Sequence, residues 1–298
     1  MLRQYKQIGQ IFLEFSVALC FALLTILTGC DTEPTAIEDY TPEPILTAFL
    51  YAQEPVGEVY LERVGSYYAY YDPLNHGISD AEILLIQLDG AGSGDTLHFA
   101  ESSHPDSNGV YRPVQVHLAQ PLAHYRIEAY KPAENLHLWA ETVVPDTFAL
   151  QVNYPIMADT LRDTLDRTEE NIYLQWTLVD SSGGYITNVT CLDDSFIPLD
   201  PDFNPDEDEI PEDSSRWFFD ITFEGYTEKS VAWILFQYEG WHRVELQAAN
   251  EAYFAYFFSW LYMQQWQMTS LEYNVQGGLG IFGGLARRGF YVYVEKEE

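Results

Sequence analysis

Five oxygen-bearing side chains at alternate positions have the spacing of a metal site. They lie in an acidic segment from Asp193 to Asp213 and are Asp200, Asp202, Asn204, Asp206 and Asp208. Oxygen ligands at alternate positions of one loop can surround a hard cation, so Ca²⁺ is the candidate ion. Pro205, however, stands where a calcium loop has a glycine, and Pro211 occupies the twelfth position, where such loops carry a glutamate. A solvated acidic loop is therefore the favoured interpretation, and Ca²⁺ binding is the alternative.

A cluster of tyrosines offers a second kind of chemistry, which is stacking against a ligand. Its members are Tyr67, Tyr68, Tyr70 and Tyr71, in the stretch GSYYAYYDP. On an exposed loop they can stack against a sugar, a peptide or another flat ligand, because tyrosine combines apolar area with a polar tip. In a strand, half of them would be core residues, and aromatic residues are common in strands. The structural interpretation is favoured, with ligand binding as the alternative.

Glycines near the C-terminus match the spacing of a nucleotide-binding loop. The stretch from Gly278 to Gly283 reads G-x-G-x-x-G. A dinucleotide-binding loop also needs a following helix and an acidic residue about 20 positions later, whereas this sequence ends at Glu298. We therefore expect a bend in which glycine allows close backbone packing or a positive φ.

No spacing typical of a catalytic motif occurs elsewhere in the sequence. H-E-x-x-H, G-x-S-x-G, the P-loop and C-x-x-C are all missing, and the seven histidines are scattered. We therefore predict that the protein is not an enzyme.

The residues up to Cys30 have the pattern of an export signal, and we place a signal peptide at 1–29. Arg3 and Lys6 precede an apolar run from Phe15 to Leu27, and small residues lead to the cysteine. This run is shorter than the roughly 20 apolar residues that span a bilayer. The ending L-T-G-C resembles the signals of bacterial lipoproteins, in which the cysteine is diacylated and becomes the first residue after cleavage. The resemblance implies that a diacylglyceryl group on Cys30 anchors the protein in the membrane.

The net charge argues against one class of partner, and the composition predicts a folded chain. The sequence has 298 residues and a formal net charge of −32, which becomes −33 when the signal with Arg3, Lys6 and Glu14 is removed. A chain so acidic repels phosphate backbones, so we expect no nucleic-acid partner. Hydrophobic residues make up 47% and aromatic residues 15%, which predicts a folded chain. Cys191 alone remains after cleavage and lipidation, so no intrachain disulfide is expected.

Alternating apolar residues between turns predict a mainly β fold. An acidic tether at 30–44 is followed by about seven short alternating runs, separated by Gly, Pro, Asn and Asp, before Pro145. Their number and spacing predict an immunoglobulin-like β-sandwich at 45–146. Further runs predict a second β-rich domain at 147–298, which contains the acidic insert at 193–213. Between two of these runs, we expect residues 158–171 to form a short exposed helix or a loop.

One aromatic run has the properties of a helix. Asn250 can cap it with its side-chain oxygen, and the residues up to Trp266 include AYFAYFFSWLYM. Because this run is apolar around its whole circumference, we predict a helix at 250–266 that is buried against a sheet. It is too short to cross a bilayer.

Four stretches of the chain together resemble one family. They are 77–83 (GISDAEI), 109–111 (GVY) with 124–127 (HYRI), 140–145 (AETVVP) and 274–284 (NVQGGLGIFGG). They resemble the bacterial outer-membrane lipoproteins built on domain of unknown function 4249, whose closing pattern is Asn-x-x-x-Gly-x-Gly-x-Phe-Gly-Gly. The resemblance implies an outer-membrane protein that accompanies a TonB-dependent transporter, and it supplies no catalytic residues. Asp31 and Glu33 also resemble signals that carry lipoproteins to the cell surface.

We therefore expect a lipid-anchored binding or accessory module at the outer membrane, with a TonB-dependent transporter as its partner. One alternative is a structural cell-envelope protein that has no small-molecule ligand. A second is a calcium-dependent adhesion or binding module that uses the acidic insert.

Overall fold

A computed structural model describes residues 42–65, 76–104, 107–161, 164–166, 169–194, 197–199, 215–266 and 270–296. The described residues form one compact unit that begins at Pro42. The fold is mainly β, as predicted, with 51% of residues in strands.

The described residues contain sixteen strands and one complete α-helix. The strands are β1 (Pro44–Tyr51), β2 (Val59–Arg63), β3 (Glu82–Gln87), β4 (Thr96–Glu101), β5 (Val110–Pro113), β6 (His124–Lys131), β7 (Leu136–Val143), β8 (Leu150–Val152), β9 (Ile156–Met157), β10 (Thr160–Leu161), β11 (Ile172–Trp176), β12 (Gly184–Cys191), β13 (Trp217–Phe223), β14 (Glu228–Val231), β15 (Gly240–Ala249) and β16 (Leu279–Val294). The helix α1 (Glu251–Trp266) lies between β15 and β16 in the chain.

Thirteen of these strands form one sheet. Their order is β13-β12-β15-β16-β1-β2-β5-β4-β3-β6-β7, and β10 joins beside β16 and carries β9. The other three strands form a small sheet in the order β14-β11-β8. At the end of the large sheet, β7 turns back towards β16, because Trp139 and Gln276 exchange backbone hydrogen bonds of 3.1 and 2.7 Å. The strands from β1 to β7 thus surround a common core.

Strand pairing crosses the predicted domain boundary. β1 pairs in parallel with β16, from Ile45 opposite Leu279 to Tyr51 opposite Leu285. The strands of residues 45–146 therefore belong to the same sheet as β12, β13, β15 and β16. The mainly β class is confirmed, whereas the immunoglobulin-like sandwich and its separation from a second domain stay predictions.

β1 has the alternation that its sequence predicts. Leu46, Ala48 and Leu50 are buried in the core between the strands. Phe49 and Tyr51 point to the other face, where they pack in the cluster that includes residues of α1. One face of this strand is therefore covered by the core and the other by α1.

β16 contains most of the glycine motif. The expected bend is present at Gly277 and Gly278 but goes no further, because Leu279–Val294 is one extended strand of 16 residues. The expected role of glycine is confirmed at Gly280, whose φ is +116° and where a Cβ would clash with the carbonyl oxygen of Leu46. A Cβ at Gly284 would clash in the same way with the carbonyl oxygen of Val143. Glycine thus lets β16 approach both β1 and the end of β7.

α1 begins where the sequence predicts. The side-chain oxygen of Asn250 accepts a hydrogen bond from the backbone N–H of Tyr253 at 3.1 Å, which confirms the cap. The predicted burial against a sheet holds for one face of the helix. Phe254 and Phe257 are buried against the sheet, but Tyr262 is 36% exposed. A helix turns by about 100° per residue, so one sheet covers only one of its faces. Within the described ranges, no helix is both long and apolar enough to span a membrane.

Residues 158–171 include a short strand and a buried anchor. The expectation of an exposed helix or loop is wrong for Leu161 and Leu165, which are 3% and 1% exposed. Thr160 pairs with Tyr291, and Leu165 forms a bridge with Val294. Two leucines in a polar stretch have no detectable period, so their burial depends on this distant strand.

We expect Gly280→Ala to lower the free energy of unfolding by roughly 3 kcal/mol, because it adds backbone strain at positive φ and a clash with β1. Urea unfolding measures the change. Gly57→Ala is the matched control, since a Cβ at Gly57 meets nothing within 4 Å. Equal stabilities of the two variants would contradict the close contact between β1 and β16.

Candidate functional site

The candidate residues chosen from the sequence lie outside the described part of the chain. They are Cys30, Tyr67, Tyr68, Tyr70, Tyr71, Asp200, Asp202, Asn204, Asp206 and Asp208. Lipidation, stacking and Ca²⁺ binding by these residues therefore stay predictions. Among the residues that the structure describes, no group of three or more His, Cys, Asp or Glu side chains is placed to hold a metal ion.

A cleft of about 610 Å³ opens where α1 begins. Its walls come from the start of β6, the end of β7, the turn before β12, the residue after β13 and the first turn of α1. The lining residues are His124, Glu141, Thr142, Val143, Ser181, Ser182, Gly183, Glu224, Asn250, Glu251 and Ala252. Clefts of this size accommodate small molecules. We therefore take this cleft as the candidate site.

Asn250 joins three elements at one corner of the cleft. Its side-chain amide donates a hydrogen bond of 2.8 Å to Oγ1 of Thr142 on β7. Its side-chain oxygen accepts hydrogen bonds from the backbone N–H groups of Tyr253 and Gly284, at 3.1 and 3.3 Å. Asn250 is buried, so each partner also prevents an unsatisfied polar group. These bonds fix the start of α1 against β7 and β16.

The turn before β12 forms another wall of the cleft. Ser181 has a φ of +66°, which is unusual for a residue with a side chain and marks a backbone held by its surroundings. Gly183 lies so close to the helix that a Cβ would be 2.6 Å from the Cα of Glu251. The hydroxyl of Ser182 donates a hydrogen bond of 2.9 Å to the carbonyl oxygen of Gly184, so it stabilises the turn. This wall is therefore closely packed against α1.

At the wall formed by β6 and β7, the carboxylate of Glu141 faces the side chains of His124 and Arg126. Nε2 of His124 lies 3.2 Å from Oε2 of Glu141, and Nη1 of Arg126 lies 3.7 Å from Oε1 of the same carboxylate. β6 and β7 create this arrangement, because Arg126 is directly opposite Glu141 in their register. About a third of each side chain is exposed, so solvent screens the attraction. Glu141 is therefore partly compensated.

Two further carboxylates make the cleft acidic. Glu224 and Glu251 are both exposed, and within the described residues neither forms an ion pair. The hydroxyl of Thr142 and the amide of Asn250 add polar groups to the same lining. Carboxylates attract cations and accept hydrogen bonds from hydroxyl or amine donors. The cleft can thus bind a small cationic or hydrogen-bond-donating molecule.

A second charged network lies on the sheet and has a structural explanation. The carboxylate of Glu245 is buried, with Arg243 Nη2 at 2.7 Å and Arg287 Nη1 at 3.8 Å from its Oε2 atom. Nε of Arg287 also donates a hydrogen bond of 2.8 Å to Glu54, and its guanidinium lies 4.2 Å from the ring centre of Tyr51. The bond to Glu54 and the charge of Glu245 raise the pKa of Arg287. The network ties β15 and β16 to the end of β1.

Cys191 and His242 are buried opposite each other on β12 and β15. Burial raises the pKa of the Cys191 thiol, which favours the unreactive protonated form. Burial also lowers the pKa of His242, although the carbonyl of Gly240 and the charge of Asp193 oppose that change. Nδ1 of His242 lies 2.9 Å from this carbonyl, and no hydrogen-bond partner of Nε2 lies within the described residues. Both residues therefore belong to the core.

Sequence reasoning missed the cleft because its residues come from five separate parts of the chain. Only Asn250 carried a local signal, as the cap of an apolar run. Thr142 is 108 positions away from it, and no spacing rule connects the two. The acidic residues that do have a regular spacing lie elsewhere, in the insert.

No protein-family model matches this chain. No curated protein matches it either. The resemblance to the lipoproteins of domain of unknown function 4249 therefore stays a prediction.

We expect the free energy of unfolding to fall between pH 7.5 and pH 5.5, by roughly 1 kcal/mol more in the native chain than in His242→Gln. The unfolded chain protonates this histidine below its usual pKa of 6.5, whereas burial lowers its pKa in the folded chain, so acid favours unfolding. Urea unfolding at both pH values gives the difference. His98→Gln is the control, because it replaces an exposed histidine on β4 in the same way. An unaltered pH dependence in His242→Gln would contradict the buried neutral state.

Proposed function

We propose that this protein is a lipid-anchored, non-enzymatic binding module of the bacterial outer membrane, and that the cleft at the start of α1 holds its ligand. The observation that carries the proposal is the combination of a cleft of about 610 Å³ with a polar lining fixed by buried hydrogen bonds. A rigid cleft suits binding, because little order is lost when the ligand enters.

The charges of the lining suggest the class of ligand. Glu224 and Glu251 are exposed carboxylates at the cleft, and Glu141 is shared with His124 and Arg126. The whole chain is strongly acidic as well, and its field draws small cations towards it. We propose a small organic cation as the ligand, held by carboxylates and by hydrogen bonds to the hydroxyl and amide groups of the wall.

The remaining parts of the proposal rest on the sequence. A diacylglyceryl group on Cys30 supplies the membrane anchor, and the resemblance to domain of unknown function 4249 supports the outer membrane and a TonB-dependent transporter as partner. The proposal also includes an immunoglobulin-like sandwich at residues 45–146, formed by strands that belong to the large sheet. A structural envelope protein without a small-molecule ligand is the second candidate, and binding of Ca²⁺ by the acidic insert is the third.

We expect the diamine cadaverine to raise the midpoint of thermal unfolding, whereas glutarate, a dianion with an equally long carbon chain, leaves it unchanged. Attraction to the cleft carboxylates is the physical reason, so added salt should weaken the effect. For Glu224→Gln and for Glu251→Gln, we expect about threefold to fivefold weaker binding of cadaverine by calorimetry.

Glu272→Gln is the matched control, since it removes an exposed carboxylate that does not line the cleft. Equal losses in this control and in the cleft variants would indicate a nonspecific effect of net charge. Stronger binding of glutarate than of cadaverine would contradict the proposed ligand class.

We expect the mature N-terminus to be a diacylated Cys30, and a tagged chain extracted from outer membranes in detergent to retain one transporter. Mass spectrometry of the N-terminal peptide and of the co-purified proteins measures both. Cys30→Ala should abolish acylation and leave the signal uncleaved, because the modified thiol is required for processing in proteins of this kind. Acylation combined with recovery of only abundant envelope proteins would contradict the transporter partner and favour the structural candidate.

A further inference from the structure

The outer face of α1 is aromatic although the sheet does not cover it. We call the residues Tyr256, Phe258 and Tyr262 on the helix, with Phe223 and Tyr273 beside it, the helix patch. Phe223, Tyr273 and Tyr262 are 52%, 40% and 36% exposed. So much exposed aromatic area at one place is unusual for a surface that contacts only water.

The helix patch follows both edges of the helix. On one edge, the ring of Phe258 lies 5.7 Å from Phe223 and 4.4 Å from Tyr262, measured between ring centres. On the other edge, the rings of Tyr256 and Tyr273 are 6.1 Å apart. The small residues Ala255 and Ser259 lie between these edges and are half-buried, and the backbone N–H of Glu272 donates a hydrogen bond of 3.0 Å to Oγ of Ser259. Aromatic rings therefore line both edges of the helix.

The chemistry of the helix patch suits the interfacial layer of a bilayer. Tyrosine and phenylalanine place an apolar ring among the upper lipid chains, and tyrosine keeps its hydroxyl in the headgroup layer. The sequence of α1 contains no lysine or arginine, and the neighbouring Glu224, Glu251 and Glu272 are acidic. Docking of this surface therefore depends on its aromatic rings and gains nothing from anionic lipid charges.

The first described residues of the chain lie near one edge of the helix patch. The described chain starts at Pro42, and Ile45 pairs with Leu279 immediately after the segment that carries Tyr273. The carbonyl oxygen of Pro44 lies against Gly278 in the same segment. Burial raises the pKa of Tyr273, and the negative charge of Glu43 raises it further. The described chain thus begins beside the edge of the helix patch that carries Tyr273.

The length of that segment limits the distance to the bilayer. Eleven residues separate Cys30 from Pro42, and an extended chain spans at most about 3.5 Å per residue. Acyl chains on Cys30 would therefore keep the membrane within about 40 Å of the point where the chain enters the fold. A surface so close to the anchor meets the bilayer at a high effective concentration, so even a weak affinity produces contact.

We propose that the helix patch docks on the headgroup layer of the bilayer in which Cys30 is anchored, with the axis of α1 along the membrane surface. This inference rests on the proposed lipidation of Cys30. It assigns a second, noncovalent membrane contact to the folded part of the chain.

The test uses the full lipidated chain, reconstituted into vesicles of phosphatidylethanolamine and phosphatidylglycerol. A nitroxide label at Tyr262→Cys reports membrane depth through its accessibility to oxygen and to a nickel chelate. We expect the label to lie about 5 Å below the phosphates, as in interfacial helices. Phe223→Cys gives a second, independent reading if the first variant folds poorly, and circular dichroism checks both folds. Val116→Cys is the control, because Val116 is 84% exposed on another part of the surface and should stay in water.

Each result separates this inference from the anchor on which it rests. Labels at 262 and 223 within the bilayer, with the label at 116 in water, would support the docking. Vesicles that carry acylated protein while all three labels remain in water would overturn the docking and leave the lipid anchor intact. Labels that become immobilised only in native membranes would indicate a protein partner on the helix patch and also overturn it. A chain that carries no acyl group and does not float with vesicles would refute both the anchor and the docking.

Discussion

The parallel pairing of β1 with β16 is the constraint on which the rest of the structure depends. These two strands come from opposite ends of the folded unit, and their register extends from Ile45 and Leu279 to Tyr51 and Leu285. The pairing requires glycine at 280, where the backbone has a positive φ and meets the carbonyl of Leu46. β16 also pairs with β15 along ten positions, so it joins the two halves of the large sheet. Long-range pairing of this kind has a high entropic cost of closure, and burial on both sides of β1 offsets it.

Two asparagines stabilise the region where β7 meets β16. Asn274 accepts a hydrogen bond from the N–H of Phe282 and donates one to its carbonyl, both at 2.9 Å, and it also reaches the carbonyl of Glu141 at 3.3 Å. Asn250 also joins these two strands, through hydrogen bonds with Thr142 of β7 and Gly284 of β16. The two asparagines therefore supply hydrogen-bond partners to backbone groups at the place where β7 meets β16. Asn250 also lines the cleft, so the contact that fixes β7 against β16 also shapes the candidate site.

The sequence was informative wherever the signal is local. Alternation predicts β1, and an asparagine before an apolar run predicts the start of α1, because both depend on neighbouring residues. It failed where the outcome depends on distant partners. Leu161 and Leu165 are buried only because β16 lies beside them, and Tyr262 is exposed because the sheet covers only one face of α1. The contact of Arg287 with Glu54 spans 233 positions, and that of Asn250 with Thr142 spans 108, so no pattern could reveal the network or the cleft.

α1 links the two proposed contacts of the protein in one rigid element. Its first turn forms a wall of the cleft, and its outer side carries the helix patch. The helix has 16 residues, which corresponds to a length of about 24 Å at 1.5 Å per residue. With the helix patch on the bilayer, the cleft would therefore lie at the level of the membrane surface, to one side of the docked helix. Hydrogen bonds from Asn250 prevent the first turn from moving independently of β7 and β16. A ligand in the cleft would thus be held in a fixed orientation next to the membrane, which is the position from which transfer to a membrane-embedded transporter requires the least movement.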